Sequence, residues 1–182
     1  MIETFSQLRH CMKVERPLYP NRLYDYLTSN QRVHNWRFIR ALRWTEYLRN
    51  RGKRNIFFMP LYIFTCRLKN RIGSRIGLEI DINTFGEGLV VHHNGSIVVS
   101  ADATVGRNCQ LHGDNCIGNL GSGKRLGSPV IGDNVDIGVG AKILGPIQLA
   151  DGIRVGANAV VVTSFLEPGI TIAGVPAKRV GR

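Results

Sequence analysis

Two short stretches hold the side chains best suited to moving a proton near neutral pH. In VVHHNGSIVV the pair His92 and His93 stands side by side, and in QLHGDNCIG His112 follows the aliphatic Leu111. An imidazole can accept a hydroxyl proton and release it again, which is what a general base must do. Adjacent histidines on an extended chain point apart, and a zinc site needs several imidazoles converging on one point, so metal chemistry is not expected. The cysteines Cys11, Cys66, Cys109 and Cys116 form no CxxC pair and read as reduced thiols.

The elements that must carry these histidines announce themselves by a period of six. Every sixth position from Val99 gives Val99, Val105, Leu111 and Ile117, and the series resumes at Ile131, Ile137, Ile143, Leu149, Val155 and Val161. Four residues after each lies a mostly small or branched one: Ala103, Cys109, Asn115, Gly121, Val135, Ala141, Ile147, Ile153, Ala159 and Phe165. Such a period drifts out of phase with an α-helix and does not describe a plain strand. It fits a hexapeptide β-helix, a triangular coil in which each hexad makes one face and three close a turn of about 18 residues. The expected fold is mainly β, a left-handed parallel β-helix of roughly five turns, behind an N-terminal α-helical segment. On that geometry His93 and His112 fall in adjacent turns on about the same face. The period breaks between Ile117 and Ile131, so GNLGSGKRLGSPV is read as a loop thrown out from the coil, either a binding loop or a tolerated insertion.

The front of the chain has a different character. Residues 1–75 contain 16 basic and 4 acidic side chains, against 8 and 9 in residues 76–182, so two electrostatic units meet near Gly73. Val33, Trp36, Ile39, Leu42 and Leu48 recur at helical spacing, with Arg32, Arg37, Arg40, Arg43 and Arg49 placed largely outside that stripe. The run IFFMPLYIFTC has two readings: it covers the open first coil, whose strand edges would otherwise be bare, or it dips into an anionic inner leaflet. No nucleic-acid module is recognisable. No run approaches the roughly 18–20 apolar residues that span a bilayer, and the opening MIETFSQLRHCMKVERP lacks a signal-peptide plan. A cytoplasmic protein is expected, with peripheral contact at the inner membrane face as the second reading.

From about residue 76 the chain resembles the serine acetyltransferase branch of the hexapeptide-repeat acyltransferases. The resemblance rests on EIDIN, VHHNGSIVV, the Gly-rich loop ending in Pro129, IGVGAKILG and AGVPAK. It implies acetyl-CoA as donor, no metal, a homotrimer with CoA in the groove between neighbouring coils, and direct transfer to a hydroxyl with His93 as general base and Asp81 as the carboxylate orienting it. Pantetheine would meet backbone groups around Asn119, Val139 and Ala157, and the nucleotide phosphates would meet Lys178 and Arg179. His92, His112 and Ser128 are the candidate acceptor-binding residues, with a stacked structural role the other reading of His112. Members that use serine carry Asp before the catalytic histidine and Arg-His-Pro at the loop end; here His92 and Gly127-Ser128-Pro129 stand there. Those charges hold the ammonium and carboxylate of serine. Their replacement moves the expected acceptor to a sugar hydroxyl, as in relatives that acetylate capsule or exopolysaccharide, with serine as the alternative and a non-catalytic β-helix scaffold as the third reading.

Overall fold

The computed structural model of the chain describes residues 1–52, 55–121 and 127–181. Its front comprises α1 (Phe5–Glu15), α2 (Leu23–Leu27), α3 (Gln31–Gly52) and α4 (Met59–Ile76). Thr4 and Gln7 close a reciprocal cap on α1: the Thr4 hydroxyl accepts the Gln7 N–H at 3.2 Å and the Gln7 side chain accepts the Thr4 N–H at 2.9 Å. α3 and α4 pack on each other as a helical hairpin. The joint with the rest of the molecule is Gly77, not Gly73, because α4 continues through Gly73 to Ile76. Gly77 has φ +72°, and a Cβ there would lie 2.5 Å from the Gly95 carbonyl oxygen, so glycine alone fits this turn.

Beyond Gly77 the chain winds into a three-faced parallel β-helix. The first face stacks β1 (Leu78–Ile80), β3 (Ile97–Val99), β6 (Cys116–Gly118), β9 (Lys142–Leu144) and β12 (Val160–Val161). The second stacks β4 (Thr104–Val105), β7 (Val130–Ile131) and β10 (Gln148–Leu149), with single bridges adding Phe85 at one end and Phe165 at the other. The third stacks β2 (Val90–Val91), β5 (Gln110–Leu111), β8 (Asp136–Ile137), β11 (Arg154–Val155) and β13 (Thr171–Ala173), and β14 (Lys178–Val180) returns antiparallel on β13. Partners such as Val98↔Cys116, Asp136↔Arg154 and Lys142↔Val160 are one 18-residue turn apart. Cys116↔Lys142, Thr104↔Val130 and Gln110↔Asp136 are 26 apart, so the extra residues leave the coil as a single excursion and pairing resumes in register. That excursion is the Gly-rich loop; its residues 122–126 lie outside the described residues.

The aliphatic at the head of each hexad points inward: Val99, Ile117, Ile143 and Val161 on the first face, Val105, Ile131 and Leu149 on the second, Leu111, Ile137 and Val155 on the third, all buried. Asn115 occupies a wholly buried inward position, and its amide is satisfied by donating to Gly138 O at 2.8 Å and accepting from Gly113 N at 3.0 Å. Corners are turned by residues in the left-handed region, Asn108, Asn134 and Asn158 among them, which asparagine tolerates better than other side chains. Burial pushes the Cys11 and Cys109 thiols up to about 12. Near neutral pH an aromatic disulfide reagent is therefore expected to titrate Cys66 and Cys116, which are half-buried, and to reach the other two only in denaturant. Prompt reaction of a third thiol in the folded protein would contradict this.

The helical front closes the open end of the coil. Tyr19 donates its hydroxyl to Leu89 O and accepts Val91 N–H, each at 3.0 Å, and the Asn35 amide donates to Val91 O at 3.0 Å. Lys69 Nζ donates to Ile80 O at 2.8 Å. Arg43 donates to Phe85 O at 3.0 Å and Gly86 O at 2.6 Å. In the other direction Glu46 accepts Asn83 N–H at 2.8 Å and Glu15 accepts Gly88 and Leu89 N–H at 3.2 and 3.3 Å. These side chains take the place of the next strand, so the edge is left neither bare nor sticky. Arg43, which the sequence places outside the apolar stripe, is nonetheless only 1% exposed and lies between Glu15 at 2.7 Å and Glu46 at 2.9 Å. Desolvation disfavours its charge, but the two carboxylates more than compensate and hold its pKa well above the usual value. No helix among the described residues is long and apolar enough to cross a membrane.

Candidate active site

The third face ends at a corner, residues 92–96, that leads into the first. Register carries His92 onto His112 in the next coil, then onto Gly138 and Gly156 above, because Val91 pairs with Leu111, Leu111 with Ile137 and Ile137 with Val155. The two imidazoles stack with centroids 4.4 Å apart and planes inclined by 15°. Each is bonded to the outward side chain of the following coil: His92 Nε2 to Gln110 Oε1 at 2.9 Å and His112 Nε2 to Asp136 Oδ1 at 2.8 Å. The stack fixes both rings before any ligand arrives.

His93, one residue on, is exposed and turns into an open cavity of about 340 Å³. Its walls include His112, Asp136, Val139, Arg154 and Thr171, and its floor includes Gly138 and Gly156, which continue the His92–His112 column without side chains. An imidazole at the mouth of a trough floored by backbone can meet a hydroxyl while an extended chain lies along the trough.

The carboxylate expected to orient His93 is not bonded to it. Asp81 is exposed just past β1, in a separate cavity with Lys69, Ser96 and Val98, and among the described residues no hydrogen bond or ion pair joins it to His93. The bonded carboxylate–imidazole pair is Asp136–His112. The Asp81 cavity nonetheless opens beside the same corner, since Ser96 belongs to both, and it holds a second carboxylate, Glu79, at the outward position of β1. The sequence reading passed over Glu79, whose signal was the polar residue between two buried aliphatics.

The remaining candidates divide. Val139 and Ala157 stack at one corner: they are one turn apart, and the Val139 carbonyl accepts Asn158 N–H at 2.8 Å. Asn119 lies at a different corner, beside Gly145, and uses its side chain to accept Gly121 N–H at 3.0 Å. Ser128 reaches Ser100 Oγ at 3.4 Å on that second corner, so one chain does not bring it to His93. Arg179 is paired with Glu167 at 2.6 Å, whereas Lys178 and Arg154 have no ion pair among the described residues. Arg154, on the cavity wall, is a site cation that the sequence reading missed.

The similar proteins include serine acetyltransferases. That of Buchnera aphidicola from Acyrthosiphon pisum is 32% identical over 162 residues, 87% of this chain and 55% of the relative. That of Helicobacter pylori is 33% identical over 121 residues, 65% of this chain and 70% of the relative. Among solved structures, the Neisseria gonorrhoeae serine acetyltransferase in complex with serine superposes with a TM-score of 0.75 at 27% identity, covering 97% of this chain and 70% of that one. The Brucella abortus enzyme gives 0.74 at 28% identity with the same coverage. No family model matches the chain. The chain spans about half the length of the first curated relatives.

Proposed function

Because the chain belongs to the serine acetyltransferase family, we propose that it transfers the acetyl group of acetyl-CoA to a hydroxyl, with serine as the acceptor. The observation that carries this is the exposed His93 at the mouth of a glycine-floored trough, in a chain whose relatives are serine acetyltransferases. His93 accepts the hydroxyl proton as the oxygen attacks the thioester carbonyl. The tetrahedral intermediate then expels the CoA thiolate, which takes the proton back from the imidazolium. A thioester is already activated, so the chain's task is alignment and deprotonation, in one ternary complex without an acyl-enzyme.

Asp81 is assigned as the carboxylate that steadies protonated His93 once substrates fill the corner. Pantetheine lies along the Val139–Ala157 corner with Asn119 as a further contact, and Lys178 and Arg154 are the cations left to meet the CoA phosphates. Arg179, held by Glu167, contributes less than the sequence suggested. The assembly is a homotrimer of left-handed coils, with each trough closed by a neighbour and Ser128 reaching an adjacent site.

A second reading, a sugar hydroxyl, is favoured by one observation. His92, at the place where serine-using members carry Asp, is stacked on His112 and bonded to Gln110, so it offers no negative charge to an ammonium. The test is thiol release from acetyl-CoA with serine and with a panel of sugars and nucleotide sugars. Turnover of serine in preference to all sugars is expected; turnover of a sugar alone would replace the acceptor, and silence with every acceptor would remove the enzymatic reading.

A further inference from the structure

The cap on the coil uses only one side of α4, and the other side is apolar and bare. Along the outward line, Phe57 just before the helix and then Leu61, Phe64 and Leu68 recur at helical spacing, with exposures of 87%, 48%, 63% and 42%. Ile56 and Ile63 flank the line and are also exposed. The same line continues through Arg71 and Arg75, both exposed, and Arg67 lies at its side. Between Ile56 and Ile76 the chain has no acidic residue. The fully buried residues of α4 are Thr65, Lys69 and Gly73, and Tyr62, Ile72 and Ile76 pack partly against the core, while Leu61, Ile63, Phe64 and Leu68 point away from the protein.

We propose that this face of α4 docks on an anionic lipid surface, with Phe57, Leu61 and Phe64 entering the acyl boundary and Arg67, Arg71 and Arg75 meeting the phosphates. A contiguous exposed apolar stripe on a protein surface marks an interaction site, and cations on and beside it select a negatively charged, amphiphilic partner. Charge argues against the α4 of a second copy as occupant. Residues 1–75 carry 16 basic and 4 acidic side chains, and two of those four, Glu15 and Glu46, are buried on Arg43. Self-contact through α4 would therefore bring two basic surfaces together, whereas phosphate headgroups neutralise them.

The measurement is co-sedimentation of the full chain with vesicles of phosphatidylglycerol mixed with phosphatidylcholine, against pure phosphatidylcholine. Binding to the anionic vesicles is expected to fall by roughly tenfold or more in Phe57→Ser/Phe64→Ser and in Arg71→Glu/Arg75→Glu, and high salt should weaken the wild type. Circular dichroism and turnover of a water-soluble acceptor would show that both variants remain folded, since neither pair touches the coil edge or His93. Failure to bind anionic vesicles, equal binding to neutral ones, or binding unchanged in both variants would overturn the proposal. So would a smaller oligomer for Phe57→Ser/Phe64→Ser without vesicle binding, which would make the stripe a subunit interface. The outcome is independent of whether serine or sugar is acetylated.

Discussion

His93→Ala is expected to slow acetyl transfer by on the order of 10²–10⁴-fold, the contribution of a positioned general base. The loss should fall on kcat, because Val139 and Ala157, the residues proposed to hold CoA, stand two and three coils beyond His93 along the same corner. Thiol release would give the rate, and the rise in melting temperature on adding CoA would report binding; the second should survive the substitution. Asp81→Asn and His112→Ala separate the two carboxylate–imidazole arrangements. If Asp81 steadies the imidazolium during turnover, Asp81→Asn lowers kcat more than His112→Ala does, despite the latter's visible bond to Asp136. The reverse order would transfer the orienting role to the His112–Asp136 pair.

Arg43→Met is expected to cost about 3–5 kcal/mol of stability, the usual consequence of removing one partner from a buried ionic cluster. It strands Glu15 and Glu46 without a counter-charge, and it deprives the carbonyls of Phe85 and Gly86 of their donor. Urea unfolding followed by tryptophan fluorescence measures it, since Trp36 and Trp44 both lie in α3. Many isolated buried ion pairs can be exchanged wholesale for apolar residues without loss. Here Glu15→Leu/Arg43→Met/Glu46→Leu should stay destabilised, because the carboxylates also accept the N–H groups of Asn83, Gly88 and Leu89. Recovery of wild-type stability in the triple variant would mean that these edge bonds contribute little.

Much of the coil was legible because its inward positions recur at a fixed step and admit few residue types. The excursion after Ile117 was equally visible, since a break in phase cannot be absorbed inside a triangular coil. The burial of Arg43 was not legible, for a physical reason. Trp36, Ile39, Arg43, Glu46 and Asn50 continue one line at steps of three and four, so the period marked all five as inward. Residue type kept Arg43 out of the apolar stripe, although the lower half of that line is buried on carboxylates, an amide and the backbone of the first coil. The pairing of Asp81 with His93 came from resemblance, and neither period nor spacing fixes how a residue past the end of β1 is aimed. The His112–Asp136 bond was hidden because the 26-residue step sets which residues of successive coils become neighbours, and the loop length was uncertain until the register was seen.

A parallel coil has no natural stop, because each turn presents the next with the groups that received it from the last. In this chain one end is finished by β14 turning back on β13, and the other by six side chains standing in for a strand. The helices before Gly77 are therefore a terminator as well as an appendage. A coil cut free of them would offer Ile80, Phe85, Leu89 and Val91 at one bare end, and because β14 still finishes the other, two such coils would be expected to join bare end to bare end rather than grow without limit.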